Sequence, residues 1–108
     1  MTLQELQIAY QSIGERLDQL WPIEEKDHRV FARTMKVLEE LGELSDEILS
    51  SMNLQRASKI EKHTRMHLED EFADTFGSLV LLARDLEIDL EAVMKRKIEF
   101  TEKRLAHL

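Results

Sequence analysis

The chain has 108 residues, 43% of them hydrophobic, and a formal net charge of −7. One domain with a real core is the expectation, although so short a chain hides a limited share of its surface and would gain from a partner subunit. The absence of cysteine excludes disulfides and thiolate metal sites and fits a reducing, cytoplasmic compartment; the acidic balance argues against a nucleic-acid-binding module, which carries a basic face.

Met1 to Leu20 carries Glu5, Glu15, Arg16 and Asp18 and has no apolar core of signal-peptide type. The longest apolar run, Leu79 to Ala83, is far too short to cross a bilayer, so no membrane partner is expected. Thr2 and Glu5 have capping-box spacing, and Leu3, Leu6, Tyr10, Ile13, Leu17 and Leu20 follow at helical intervals. Pro22 stops this first helix, because proline lacks the N–H and disfavours helix at the residue before it.

A second helix is predicted from about Asp27 to Met52, with Val37, Leu41, Leu44 and Ile48 as its apolar stripe, widened by Phe31, Met35, Leu38 and Leu49. Asn53 to Thr64 is polar and basic and reads as a loop or frayed helix end. A third helix covers Arg65 to Leu86. Its stretch Phe76 to Ala83 is apolar almost all round, which predicts burial against several neighbours or a second subunit. Glu87 and Ile88 form a short link. Asp89 is a good N-cap for a fourth helix bearing Val93, Met94, Ile98, Leu105 and Leu108. The expectation is an all-α, four-helix bundle-like single domain spanning residues 1–108.

Two acidic clusters interrupt this pattern. Glu39-Glu40-Leu41-Gly42-Glu43 and Glu71-Phe72-Ala73-Asp74 each contain an i, i+3 carboxylate pair beside an apolar stripe. If the stripes face each other, four carboxylates converge in a partly buried space. Like charges at this spacing cost ~0.2–0.5 kcal/mol per pair on an isolated helix, and burial costs far more. A hard divalent cation relieves both, and oxygen-only ligands point to Mg²⁺, with Mn²⁺ as a substitute. Gly42, a helix-interior glycine, would let another helix, a metal-bound water or a substrate approach closely. Alone, one such cluster is usually a solvated helix face.

Together, Glu39-Glu40-x-x-Glu43, a gap of 27 residues and Glu71-x-x-Asp74 resemble the EExxE…ExxD signature of the MazG-like all-α nucleoside triphosphate pyrophosphohydrolases. The stretches Val37–Ile48 and Leu68–Arg104 resemble that family's metal helices and last helix, so the likeness covers about Asp27 to Arg104. The resemblance implies a helical subunit assembled as a homodimer or dimer of dimers. It also implies Mg²⁺-dependent hydrolysis of a (deoxy)nucleoside triphosphate to monophosphate and pyrophosphate, usually to clear non-standard or excess nucleotides.

Carried over by position, the resemblance makes Glu40, Glu43, Glu71 and Asp74 metal ligands, and Glu39 or Glu43 the carboxylate serving the attacking water. Lys97 and Arg104 match basic residues that approach the phosphates. Thr101 stands between them where the family often has asparagine, and Ser78 stands where it has an aromatic. Lys97, Thr101 and Arg104 share one helix face. Trp21 is expected in the core, with stacking on a base as its functional use. Lys36 either reaches phosphate or, as favoured, pairs with Glu40 at i, i+4 on the stripe that includes Arg33. His63 and His67 read as surface residues, since the Glu-x-x-His pairs of di-iron bundles are missing. Two alternatives remain: a phosphoribosyl-ATP pyrophosphatase, and a non-catalytic helical dimerisation module.

Overall fold

A computed structural model describes every residue from Met1 to Leu108, and all its regular structure is helical: α1 (Leu3–Leu20), α2 (Lys26–Ser51), α3 (Ala57–Lys62), α4 (Arg65–Asp85) and α5 (Leu90–Ala106). Local chemistry sets the boundaries. The capping box forms as expected, with Glu5 N donating to Thr2 Oγ1 at 3.1 Å and Thr2 N to Glu5 Oε1 at 3.3 Å. Asp89 caps α5 by accepting from Glu91 N at 3.1 Å. Thr64 caps α4, its hydroxyl accepting from His67 N at 3.1 Å.

The ends of α2 and α4 are Schellman turns. Leu54 N reaches Leu49 O at 2.8 Å, and Ile88 N reaches Ala83 O at 2.9 Å. Each places one residue in the left-handed region, Asn53 and Glu87, both with φ of 58°. Asn tolerates that conformation; Glu bears its steric cost.

Three expectations need correction. The segment Asn53–Thr64 is not all loop, because Ala57–Lys62 forms α3. Its residues favour helix, and its side chains tie it to α2. Lys59 Nζ lies 2.9 Å from Asp46 Oδ2, Gln55 Nε2 donates to Asp46 Oδ1 at 3.1 Å, and His63 Nδ1 lies 2.7 Å from Glu47 Oε2. His63 is therefore half-buried and paired, not a free surface residue. Trp21 is not core, being 69% exposed. The chain leaves α1 at this residue and turns toward α2, so the ring has no helix surface to lie on.

α2 and α4 pack together as the spine, with α1 against α4. Two of the three glycines serve the α1–α4 crossing. A Cβ on Gly14 would lie 2.6 Å from Arg84 Nε, and one on Gly77 would strike the Tyr10 hydroxyl. α5 leans on α1 and does not complete a four-helix bundle around the spine. Gln7 holds it there, its side-chain oxygen accepting from Leu90 N at 2.7 Å.

The chain leaves its core open. The buried hydrophobic residues are Leu44, Val80 and Ala83, while Phe31 is 65% and Phe72 63% exposed. Within Phe76–Ala83, Gly77, Ser78, Val80 and Ala83 are buried, but Phe76 and Leu79 remain exposed. The radius of gyration is 17.0 Å, against about 13 Å for a compact chain of this length. The accessible surface is 8304 Å², against about 6,200 Å² for a folded monomer of this mass. No helix is long and apolar enough to cross a membrane.

Candidate metal centre

α2 and α4 meet where their carboxylates lie. Oxygens of Glu40, Glu43 and Glu71 all fall within 4.8 Å of one another. Oxygens on opposite sides of a Mg²⁺ ion lie roughly 4.2 Å apart, so a small closure would make the three a ligand set. Glu40 is the deepest, at 9% exposure. Glu71 is half-buried and Glu43 exposed. Asp74 is exposed and stands outside the grouped oxygens, although its charge acts on Glu71.

The group is electrostatically unfinished. Glu40 Oε2 and Glu71 Oε2 are buried and have no hydrogen-bond partner. Burial holds the Glu71 carboxyl above its ordinary range. The Glu43 charge pushes the same way, as does a hydrogen bond to Glu43 that only protonated Glu71 donates. The cation paired with the group is Lys36, whose Nζ lies 3.3 Å from both Glu40 Oε1 and Glu39 Oε1. Hydrogen bonds to Glu40 and then Glu39 raise its pKa, which confirms the i, i+4 pairing expected from sequence. Three hard carboxylates with orphaned buried oxygens fit an oxygen-preferring divalent cation; they do not identify which one.

Thr75 fixes the two helices at this level. Its Oγ1 lies 3.1 Å from Glu40 O and 2.8 Å from Glu71 O, so its single proton is shared between the backbones that carry two of the three carboxylates. Ser78, buried one turn on, donates to Thr75 O at 2.7 Å. Nothing in the sequence marks Thr75, because a helical threonine usually bonds only within its own helix.

The basic residues expected at phosphates lie elsewhere. Lys97, Thr101 and Arg104 are on α5, which packs on α1, and one copy does not bring them to the carboxylates. Lys97 Nζ sits 5.0 Å from the ring centroid of Phe100 on its own helix. Arg33 belongs to a separate network. Its Nε reaches Asp85 Oδ2 at 3.0 Å and its Nη2 reaches Asp18 Oδ1 at 3.1 Å. Arg84 Nη1 completes the ring with Asp18 Oδ2 at 3.1 Å and Asp85 Oδ1 at 2.9 Å.

No known protein family, curated protein or solved structure matches the chain.

Proposed function

We propose that the chain is a Mg²⁺-dependent nucleotide pyrophosphohydrolase of the MazG-like kind, clearing unwanted (deoxy)nucleoside triphosphates as a homodimer or dimer of dimers. The observation that carries this reading is the grouping of Glu40, Glu43 and Glu71 with two buried oxygens left without partners. Those three would hold the cation, with Asp74 at the rim. Bound there, Mg²⁺ would neutralise phosphate charge and act as a Lewis acid toward water.

The chain's own residues supply the rest. Exposed Glu43, or Glu39 beside Lys36, is the carboxylate available to take the proton of the attacking water. Lys36 holds Glu40 Oε1, and with a cation on that carboxylate it would be free to meet a phosphate oxygen. The exposed Trp21 ring is available to stack on a base. Cleavage between the α and β phosphates needs positioning and charge compensation more than a covalent intermediate, which suits a site without a nucleophile.

A second copy is part of the reading. The roughly 2,000 Å² of surface beyond that of a folded monomer is the scale of a permanent interface. Phe31, Met35, Leu38 and Leu49 form an exposed stripe along α2 at i, i+4, i+7 and i+18. Lys97, Thr101 and Arg104 would reach phosphates only through such an assembly.

The test is a panel of nucleoside and deoxynucleoside triphosphates plus phosphoribosyl-ATP, with pyrophosphate detection. Release should require Mg²⁺, accept Mn²⁺, and fall by about 10² or more in Glu43→Ala and Glu71→Gln. Turnover of phosphoribosyl-ATP alone would transfer the reading to that pyrophosphatase. No release and no Mg²⁺-dependent thermal shift would leave a helical dimerisation module. Full activity in both variants would falsify the site.

A further inference from the structure

We propose that the polar groove between α2, α3 and α4 seats inorganic pyrophosphate, or the pyrophosphate end of a nucleotide, as its Mg²⁺ chelate, with Lys62 as the ammonium contact. The proposal rests on the metal reading above and adds the residue that grips the anion. The groove has a volume of about 210 Å³ and no hydrophobic residue in its lining. Glu43 and Glu71 form part of its wall, so it opens directly from the carboxylate trio. Lys59 and Lys62 stand in the same wall, carried there by α3.

Two of the four carboxylates in that wall are already paired. Asp46 is held by Lys59 at 2.9 Å, and Glu47 is bonded to His63 at 2.7 Å. Lys62 has no carboxylate partner. What remains unmatched is the Lys62 ammonium group, in a groove whose wall also holds Glu43 and Glu71, the latter with a buried oxygen that lacks a partner. A bare polyanion is repelled by Glu43 and Glu71. A cation on those oxygens would invert the local field, so that Lys62 would favour phosphate. A nucleobase finds no apolar or aromatic wall here, whereas a phosphate finds charged donors.

The experiment is calorimetric titration of inorganic pyrophosphate into the full chain. Wild type should bind with Mg²⁺ present and fail to bind in chelator. Lys62→Gln should weaken binding about tenfold, the scale of a lost hydrogen bond to a charged group. Lys62→Arg should retain most affinity. Lys95→Gln, the same charge change on an exposed α5 position, should change nothing. An unaltered thermal response of Lys62→Gln to Mg²⁺ alone establishes that fold and carboxylates are intact. Wild-type affinity in Lys62→Gln, or equal losses in Lys62→Gln and Lys95→Gln, overturns the groove while leaving the metal reading standing. A wild-type chain that binds neither Mg²⁺ nor pyrophosphate overturns both.

Discussion

Beside α1, Arg33 and Arg84 meet Asp18 and Asp85 in a closed ring of ion pairs; farther toward the start of α4, Glu40, Glu43 and Glu71 meet with a single ion pair, from Lys36 to Glu40. Both groups are partly withdrawn from water, where an unmatched charge is expensive. The first group resolves that cost internally, two guanidinium groups against two carboxylates. Its geometry fixes α1, α2 and α4 relative to one another. The second group is of one sign and leaves two buried oxygens unpartnered. The difference separates charges that hold the fold from charges that could hold a cation.

The sharpest way to break the comparison is to remove one member of each group. Asp85, with its side chain 5% exposed, is the anchor of the closed ring. Asp85→Ala should cost about 3 kcal/mol, because two arginines are left sharing Asp18. Urea denaturation reads this as a lower midpoint at unchanged slope. Magnesium should act on the other group in the opposite direction, adding about 2.7 kcal/mol at a hundredfold excess over Kd. Chelator should reverse the gain. Glu71→Gln should abolish the response to Mg²⁺ yet stabilise the metal-free protein by about 1 kcal/mol, since it removes an orphaned carboxylate. The sign follows from the raised folded-state pKa: at neutral pH the unfolded carboxyl is ionised freely, and the folded one only against burial and Glu43. A Glu71→Gln variant less stable than the metal-free parent would show that the trio is internally satisfied after all.

Much of the fold was legible because its signals are local. Thr2 with Glu5, Asp89, and the apolar spacing each act within one or two turns, and the four longer helices follow from them. The carboxylate trio was legible too, since an i, i+3 pair beside an apolar stripe must stand at the edge of a helix contact. The same geometry explains the rim positions of Glu43 and Asp74. Three residues advance about 300° around a helix, so the second member of each pair lies about 60° from the first. What was hidden depends on contacts distant in sequence. Arg33 finds Asp85, and Arg84 finds Asp18, only after three helices have packed. α3, with 6 residues, is too short for periodicity to show. Thr75 gives no sign that it bridges two backbones.

Gly42 sharpens the comparison at the smallest scale. From sequence it was open whether this glycine admits substrate, water or a helix. A Cβ built on it meets nothing within 4 Å, so no helix of the same copy packs there. It lies two residues from Glu40, about 200° around α2, and so faces away from the trio. It falls instead on the exposed stripe of Phe31, Met35, Leu38 and Leu49. That location favours close approach by a second copy over approach by substrate. Gly42→Ala should stabilise an isolated chain by about 0.5–1 kcal/mol, because alanine restricts the unfolded backbone and suits helix interiors. The same methyl should weaken self-association in sedimentation equilibrium if a helix crosses here. Loss of turnover with unchanged association would place Gly42 at the substrate instead. A gain in stability with both properties intact would mean that this part of α2 faces only water, and the second copy would then have to cover the Phe72, Phe76 and Leu79 side of α4.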